Sequence, residues 1–298
     1  MSGRLVVCPT PIGNLEDITL RTLAALRDAD VIACEDTRHT RVLLDRYGVS
    51  VPTVSYHEHN ERARAGELVR RIEAGETVAL VSDAGTPLVS DPGFQVLHQA
   101  VAAGVEVEVL PGPSSVLTAL VASDLPSDRW TFLGFLPRKA GELRERFAAS
   151  TDTLVAFESP RRLAATLAIL AELDPDRPVA VCRELTKVHE EVVRGTAAEL
   201  AARYAETPPR GELVLVVGGA DAEAVALKTA LAALAQLVEA GAKVRPAASV
   251  VAGLTGVPAN TLYRVHTGGC ASAAASCAAA CRRRSSRRGR CRAWVARS

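Results

Sequence analysis

VALVSDAGTPLVSDPG, residues 78–93, joins a short and continuously apolar run to a turn dense in Gly, Pro, Ser and Asp. An apolar run without polar alternation is the pattern of a strand covered on both faces, as in a parallel sheet flanked by helices. A short strand-like run ahead of such a turn recurs at residues 4–8, followed by PTPIGN (9–14), and at 107–110, followed by PGPSS (111–115). Residues 31–34 supply a fourth run. Between the runs lie helices with readable ends: Thr19 as N-cap before LRTLAALRD, and Asn60 as N-cap before ERARAGELVRRIEA with Gly75 closing. The alternation predicts βαβ units and an α/β fold.

A second series of strand-like runs covers 131–133, 153–157, 179–183, 191–194 and 213–217, with helices expected near 142–149, 160–173 and 197–204. A boundary at 111–113 therefore predicts two α/β domains, 1–112 and 113–220. Residues 222–240 read as a helix. A short pair, 245–254 and 260–265, joined by Thr255-Gly256-Val257-Pro258, has spacing compatible with a helix-turn-helix, so 221–265 is expected to form a small helical extension. Residues 266–298 are expected to be a disordered basic tail, because its Ala, Cys, Ser and Arg cannot build a core. Its composition suits either a shifted reading frame of a GC-rich gene or an RNA-binding arm. Four of the seven cysteines lie there (Cys270, Cys277, Cys281, Cys291), and Cys277-x-x-x-Cys281 is a weak zinc spacing. Cys8, Cys34 and Cys182 end strand-like runs and read as buried thiols.

With 298 residues, 48% hydrophobic and 23% charged, the chain can bury a sizeable core, and collagen-like or wholly disordered readings are excluded. Aromatic residues are only 4%, which argues against recognition of bases by rows of stacking rings. The net charge of +1 hides an asymmetry: residues 1–239 carry 24 basic against 34 acidic residues, while 240–298 carry 11 basic and no acidic ones. No apolar stretch approaches the roughly 20 residues of a membrane span, and a soluble cytoplasmic protein is expected.

Loops at strand ends are where α/β proteins hold ligands. Three such loops here are rich in Gly, Pro and Ser, so backbone can approach a polar ligand closely. None is a G-x-G-x-x-G or a G-x-x-x-x-G-K, so dinucleotide and ATP binding are not indicated. His57 and His59 have no further ligands in sequence and are expected to line a cleft or cap a helix, with no metal. Arg161 and Arg162 follow Pro160 at a helix start, where positive charge opposes the dipole; a phosphate partner or plain solvation accounts for them. Arg138 and Lys139 extend either reading.

Six ordered segments, PTPIGNLEDITLR (9–21), ACEDTRHT (33–40), SDAGTPLVSDPG (82–93), LPGPSS (110–115), FESPRR (157–162) and RELTKVHEE (183–191), together resemble the ribosomal RNA branch of the tetrapyrrole methylase superfamily. The likeness covers about residues 4–219, and 225–265 resembles that branch's C-terminal extension. It implies a two-domain fold with S-adenosyl-L-methionine in the cleft between the domains, a homodimer, and 2′-O-methylation of a cytidine in 16S ribosomal RNA of the small subunit. Carried over by motif, the cofactor contacts are Pro11, Asp83, Gly85, Thr86, Ser114 and Ser115, with Phe157, Arg183 and Gly211. Asp36 or Glu184 would take a proton, and Arg38 or Lys187 would stabilise the developing alkoxide or hold a phosphate. Both groups also read as local ion pairs at strand ends. For an acidic body to hold RNA, Arg38, Arg138, Lys139, Arg161, Arg162 and Lys187 are expected along one rim of the cleft. Competing readings are a same-fold enzyme acting on a tetrapyrrole or a protein side chain, and a non-enzymatic helix-turn-helix binder. The tail after Val265 has no counterpart in the family pattern.

Overall fold

The computed structural model describes residues 3–268; the tail cysteines and the tail readings lie outside them. The chain divides into two compact units at Ala220/Asp221. The first unit contains two five-stranded sheets.

The first sheet comprises β1 (Arg4–Val7), β2 (Val31–Cys34), β3 (Thr53–Ser55), β4 (Thr77–Leu80) and β5 (Glu106–Val109), all parallel, in the order β3-β2-β4-β1-β5. Its central strands are apolar on both faces because each face is covered. Val6, Ile32 and Ala79 pack with Leu23 and Leu26 of α1 (Leu20–Asp28) and Leu43 and Leu44 of α2 (Thr37–Arg46). The alternate residues Leu5, Val31, Ala33, Val78 and Leu80 pack with Leu68 and Ile72 of α3 (Glu61–Glu73) and Val96 and Ala100 of α4 (Phe94–Ala102). Connections after β1 and β2 therefore leave toward one face and those after β3 and β4 toward the other. At the carboxyl ends of neighbouring β1 and β4 the chain turns in opposite directions, which opens a crevice.

The second sheet holds β6 (Trp130–Phe135), β7 (Thr153–Glu158), β8 (Pro178–Arg183), β9 (Glu191–Thr196) and β10 (Leu213–Val217) in the order β6-β7-β10-β8-β9. Only β6 and β7 are parallel; the remaining pairs are antiparallel. One face packs on α6 (Ala140–Ala149), α7 (Pro160–Leu173) and α8 (Ala197–Glu206) through Phe147, Leu163, Leu167, Leu170, Leu200 and Tyr204. The other face, Val155, Ala180, Cys182, Val214 and Val216, packs on Val116, Ala119 and Leu120 of α5 (Ser115–Ala122) and on Ile12 from the loop after β1.

Cys8, Cys34 and Cys182 are buried free thiols, each pushed up in pKa by burial. Thr19 caps α1 as expected, accepting from the Thr22 N–H. Asn60 does not cap α3: its side chain accepts from the His57 N–H and donates to the Ser55 carbonyl, so it closes the preceding turn instead. The second unit contains α9 (Ala222–Glu239), α10 (Val244–Thr255) and α11 (Ala259–His266), around a core of Ala230, Leu234, Ala247, Ala248, Val251 and Leu262. Gly256 ends α10 at φ 75°, the left-handed conformation that a helix C-cap favours in glycine. Among the described residues no helix is long and apolar enough to cross a membrane.

Candidate active site

The loops after β1 and β4 are stitched together at the crevice. Thr10 and Gly85 exchange both backbone hydrogen bonds (2.9 and 3.0 Å), and the Thr10 hydroxyl donates to the Ser82 carbonyl at 3.0 Å. Gly85 adopts φ 83°, where a side chain would be strained. The Thr86 hydroxyl donates to the Pro113 carbonyl at 3.1 Å and so ties the β4 loop to the β5 loop. Ser114 caps α5, directing the start of that helix at the same place.

The second sheet closes the site from the opposite side. The Asn14 N–H donates to the Thr186 hydroxyl at 3.0 Å. A methyl group on Gly13 would lie 2.5 Å from Lys187 Cγ and 2.9 Å from the Leu185 carbonyl, so the loop after β1 fits against the loop after β8 only with glycine there. Between these loops lies a cavity of about 330 Å³. Ile12, Val116, Phe135, Phe157, Leu185 and Val214 give it apolar walls, while Thr86, Asp91, Ser114 and Ser115 supply polar groups.

Of the nine positions carried over for the cofactor, Gly85, Thr86, Ser114, Ser115, Phe157 and Gly211 line the cavity. Pro11 and Asp83 do not line it themselves but precede Ile12 and Ala84, which do. Asp83 Oδ1 accepts from the Asp36 N–H at 3.1 Å and so anchors the start of α2. Arg183 is turned elsewhere: strand alternation puts Cys182 on the α5 face and Arg183 on the other, where it pairs with Glu191 at 3.1 Å beside a separate hollow lined by Arg203 and Tyr204.

The charged groups expected to act in catalysis are engaged locally. Asp36 is the N-cap of α2 and holds the Arg38 guanidinium with both oxygens (3.2 and 2.8 Å); this bond to Arg38 lowers the Asp36 carboxyl to about 2. Arg38 is otherwise 90% exposed. Glu184 Oε1 accepts from the Glu212 N–H at 2.8 Å and from Lys187 Nζ at 3.0 Å, and these bonds hold its carboxyl below the ordinary range. Lys187 Nζ also reaches Glu212 at 2.8 Å; burial pulls its pKa down, but the bonds to Glu212 and Glu184 outweigh that and raise it. Glu184 and Thr186 both take left-handed φ (51° and 65°), and Gly211 (φ 88°) lies against the Glu184 carboxylate.

Arg162 spends its guanidinium on the Leu136 and Pro137 carbonyls and on buried Glu158. That binds the start of α7 to the segment just before Arg138 and Lys139. Arg138 and Arg161 are exposed, and Lys139 pairs with Glu142 at 3.0 Å. Asp91 and Phe135 also line the cavity although neither is among the expected site residues: SDPG reads only as part of a loop rich in Gly, Pro and Ser, and β6 runs to Phe135 where the expected strand stops at 133. Burial pushes the Asp91 carboxyl up to about 6, with Glu35 and Asp83 adding to the shift and a hydrogen bond with Ser82 opposing it. Glu35 is likewise raised, first by burial and then by Asp83.

A crevice between two α/β sheets, floored by glycine- and serine-rich strand-end loops, defines a class, and residues 4–201 match the family model of Tetrapyrrole (Corrin/Porphyrin) Methylases. The chain is 48% identical over 268 residues to "Ribosomal RNA small subunit methyltransferase I" of Mesorhizobium japonicum, covering 87% of this chain and 90% of that one. A relative of the same name from Thermotoga maritima is 42% identical over 221 residues, which is 73% of this chain but 99% of the relative. A uroporphyrin-III C-methyl transferase from Thermus thermophilus, solved complexed with S-adenyl homocysteine, shares the fold with TM-score 0.53 and 23% identity over 72% of this chain and 97% of that one. The chain belongs to the tetrapyrrole methylase family and, within it, to the ribosomal RNA small subunit methyltransferase I group. It is a methyltransferase.

Proposed function

We propose that this chain transfers the methyl group of S-adenosyl-L-methionine to the 2′-oxygen of a cytidine in 16S ribosomal RNA. The observation that carries the reading is the single cavity on which the loops after β1, β4 and β5 converge with residues of β7 and β10. About 330 Å³ falls in the range of small-molecule sites. The residues fit the donor: apolar Ile12, Phe157 and Val214 suit an adenine ring, while the serines at the start of α5, with the free amides and positive end of that helix, suit a carboxylate. When bound, that donor supplies an electrophilic methyl on a sulfonium. The chain's own part is to hold the acceptor hydroxyl in line with that methyl, exclude water and accept a proton.

The other residues divide by what they touch. Asp36, Asp83, Glu184 and Lys187 position the loops, because each is bound to backbone or to an ionic neighbour at a strand end. Of the six basic groups, exposed Arg138 and Arg161 would meet phosphates, joined by Arg38 and Lys139, which are exposed although paired with Asp36 and Glu142, and Arg162 holds the segment that presents Arg138 and Lys139. The names of the relatives support ribosomal RNA as the substrate, and the proposal puts that reaction in the cytoplasm. A homodimer is the working assembly. The test is purified chain, labelled methyl donor and small subunits lacking the modification, followed by nucleoside analysis of the RNA. Labelled 2′-O-methylcytidine is expected. Label on a base would overturn the ribose assignment, and label on a tetrapyrrole or protein side chain instead of RNA would replace the substrate class.

A further inference from the structure

Three carboxylates line the cavity: Asp91, Glu158 and Glu212. Two are committed. Glu158 is buried and accepts from the Ser159 N–H (2.7 Å) and the Thr166 hydroxyl (2.6 Å), with Arg162 at 3.4 Å. Glu212 is paired with Lys187 at 2.8 Å. Among the described residues no ion pair joins Asp91 to a lysine or arginine.

The segment that carries Asp91 is fixed at both ends. Upstream, Thr86 is tied to Pro113, and Leu88 and Ser90 both take left-handed φ (71° and 66°). Downstream, the Gly93 and Gln95 N–H groups both donate to Glu61 Oε1 at 3.0 Å, and Glu61 is itself held by the Tyr56 hydroxyl at 3.1 Å. Left-handed conformations in non-glycine residues cost free energy and persist where surrounding structure enforces them. Here the enforced turn leaves a half-buried carboxylate on the cavity wall.

We propose that Asp91 takes the proton from the acceptor hydroxyl during methyl transfer, an inference that rests on the reading of this chain as a ribose methyltransferase. As the oxygen bonds to the methyl carbon, the carbon–sulfur bond breaks and sulfur keeps the electron pair. The hydroxyl proton passes to a carboxylate oxygen of Asp91 and from there to water. One positive and one negative charge vanish together, a change that a poorly solvated site favours. The groups facing Asp91 are Glu35 after β2 and Ser82 and Asp83 after β4; beyond Glu35 lie Asp36, His57 and Glu58. Burial first, and then the charges of Glu35 and Asp83, make the carboxyl hold its proton to about pH 6 against a hydrogen bond with Ser82. A base of that strength is ionised at neutral pH and still binds a proton better than an ordinary aspartate. Asp36 and Glu184, both held low, are weaker bases.

The test compares the full chain with D91N and D91E. Single-turnover methylation of small subunits by the unaltered chain should rise with pH through about 6 and level above it. D91N should lower the plateau by about tenfold or more and erase that limb, while D91E restores part of the rate. Calorimetry should give S-adenosylmethionine affinities for the unaltered chain and D91N within about twofold of each other. Carbon-13 NMR of the free protein should show one aspartate titrating near 6, absent in D91N. Titration of Asp91 near the usual ~4, or an unchanged rate in D91N, overturns the inference alone. Loss of cofactor affinity in step with rate also overturns it and makes Asp91 a cofactor ligand. If the unaltered chain methylates no small-subunit RNA, the underlying reading falls and the inference falls with it.

Discussion

Glu184, which the sequence offers either as a proton acceptor or as half of a local ion pair with Lys187, is held in the structure by a backbone N–H and by that lysine. Its backbone sits at φ 51°, and its carboxylate is filled by the Glu212 N–H and Lys187 Nζ. The sign of its pH dependence follows from the lowered carboxyl. Protonation is harder in the folded chain than in the unfolded one, so the stabilisation is full above the unfolded value of 4.5 and is lost as pH falls through the lower folded value. Replacing Glu184 by Gln should therefore cost on the order of 1 kcal/mol at pH 7, as expected for a hydrogen bond to a charged group that is partly screened. Urea unfolding at pH 7 and again below pH 4 checks this: the gap between the two proteins should narrow in acid. A gap that stays constant would mean the Glu184 charge contributes nothing. Lys187 belongs to the same unit. Its removal should act through the Glu184 and Glu212 contacts and loosen the loop after β8, where the sequence alone had suggested a direct hold on substrate oxygen.

At the scale of elements, the contact that matters is between the loop after β1 and the loop after β8, since it brings the two sheets to one cavity. Gly13→Ala places a methyl 2.8 Å from the Thr186 hydroxyl and 2.9 Å from a backbone carbonyl. Overpacking of this kind costs about 1–3 kcal/mol, and relief requires the loops to separate. The expected outcome is lower melting temperature together with weaker S-adenosylmethionine binding. Gly141→Ala is the control, because nothing lies within 4 Å of a methyl there and alanine favours α6. If both variants bind the donor like the unaltered chain, the loop contact does not shape the site. Strands β1, β2 and β4 of the first sheet, unlike β5 with its alternating Glu and Val, were legible because buried parallel strands are nearly unbroken apolar runs. β3 was not, since Thr53–Ser55 offers only three residues and no apolar run. Strand faces were less legible than strands: Arg183 follows Cys182 in a recognised motif, yet alternation turns it from the cavity. Asp91 was hidden for a related reason, because its position depends on anchors at Glu61 and Thr86 that no local pattern reveals.

At the scale of the whole molecule, each unit has a core of its own, and every residue that lines the cavity precedes Ala220. Cofactor chemistry should therefore reside in the first unit. The extension carries Lys243, Arg245 and Arg264 and, with Arg245 over the Tyr263 ring at 5.1 Å, presents basic groups suited to phosphate. Residues 1–239 are acidic overall, so removing basic groups should weaken RNA association before anything else. A chain ending at Ala220 is expected to unfold cooperatively and to bind S-adenosylmethionine within about threefold of the full chain, while its KM for small subunits rises and the salt dependence of binding becomes shallower. A chain ending at Gly268 separates the extension from the tail: if it matches the full chain, the last residues add nothing to RNA binding, and if it behaves like the shorter form, the basic tail supplies the phosphate contacts. Loss of cofactor binding on truncation at Ala220 would mean that the extension completes the site, and the assignment of the cavity to the first unit alone would be wrong.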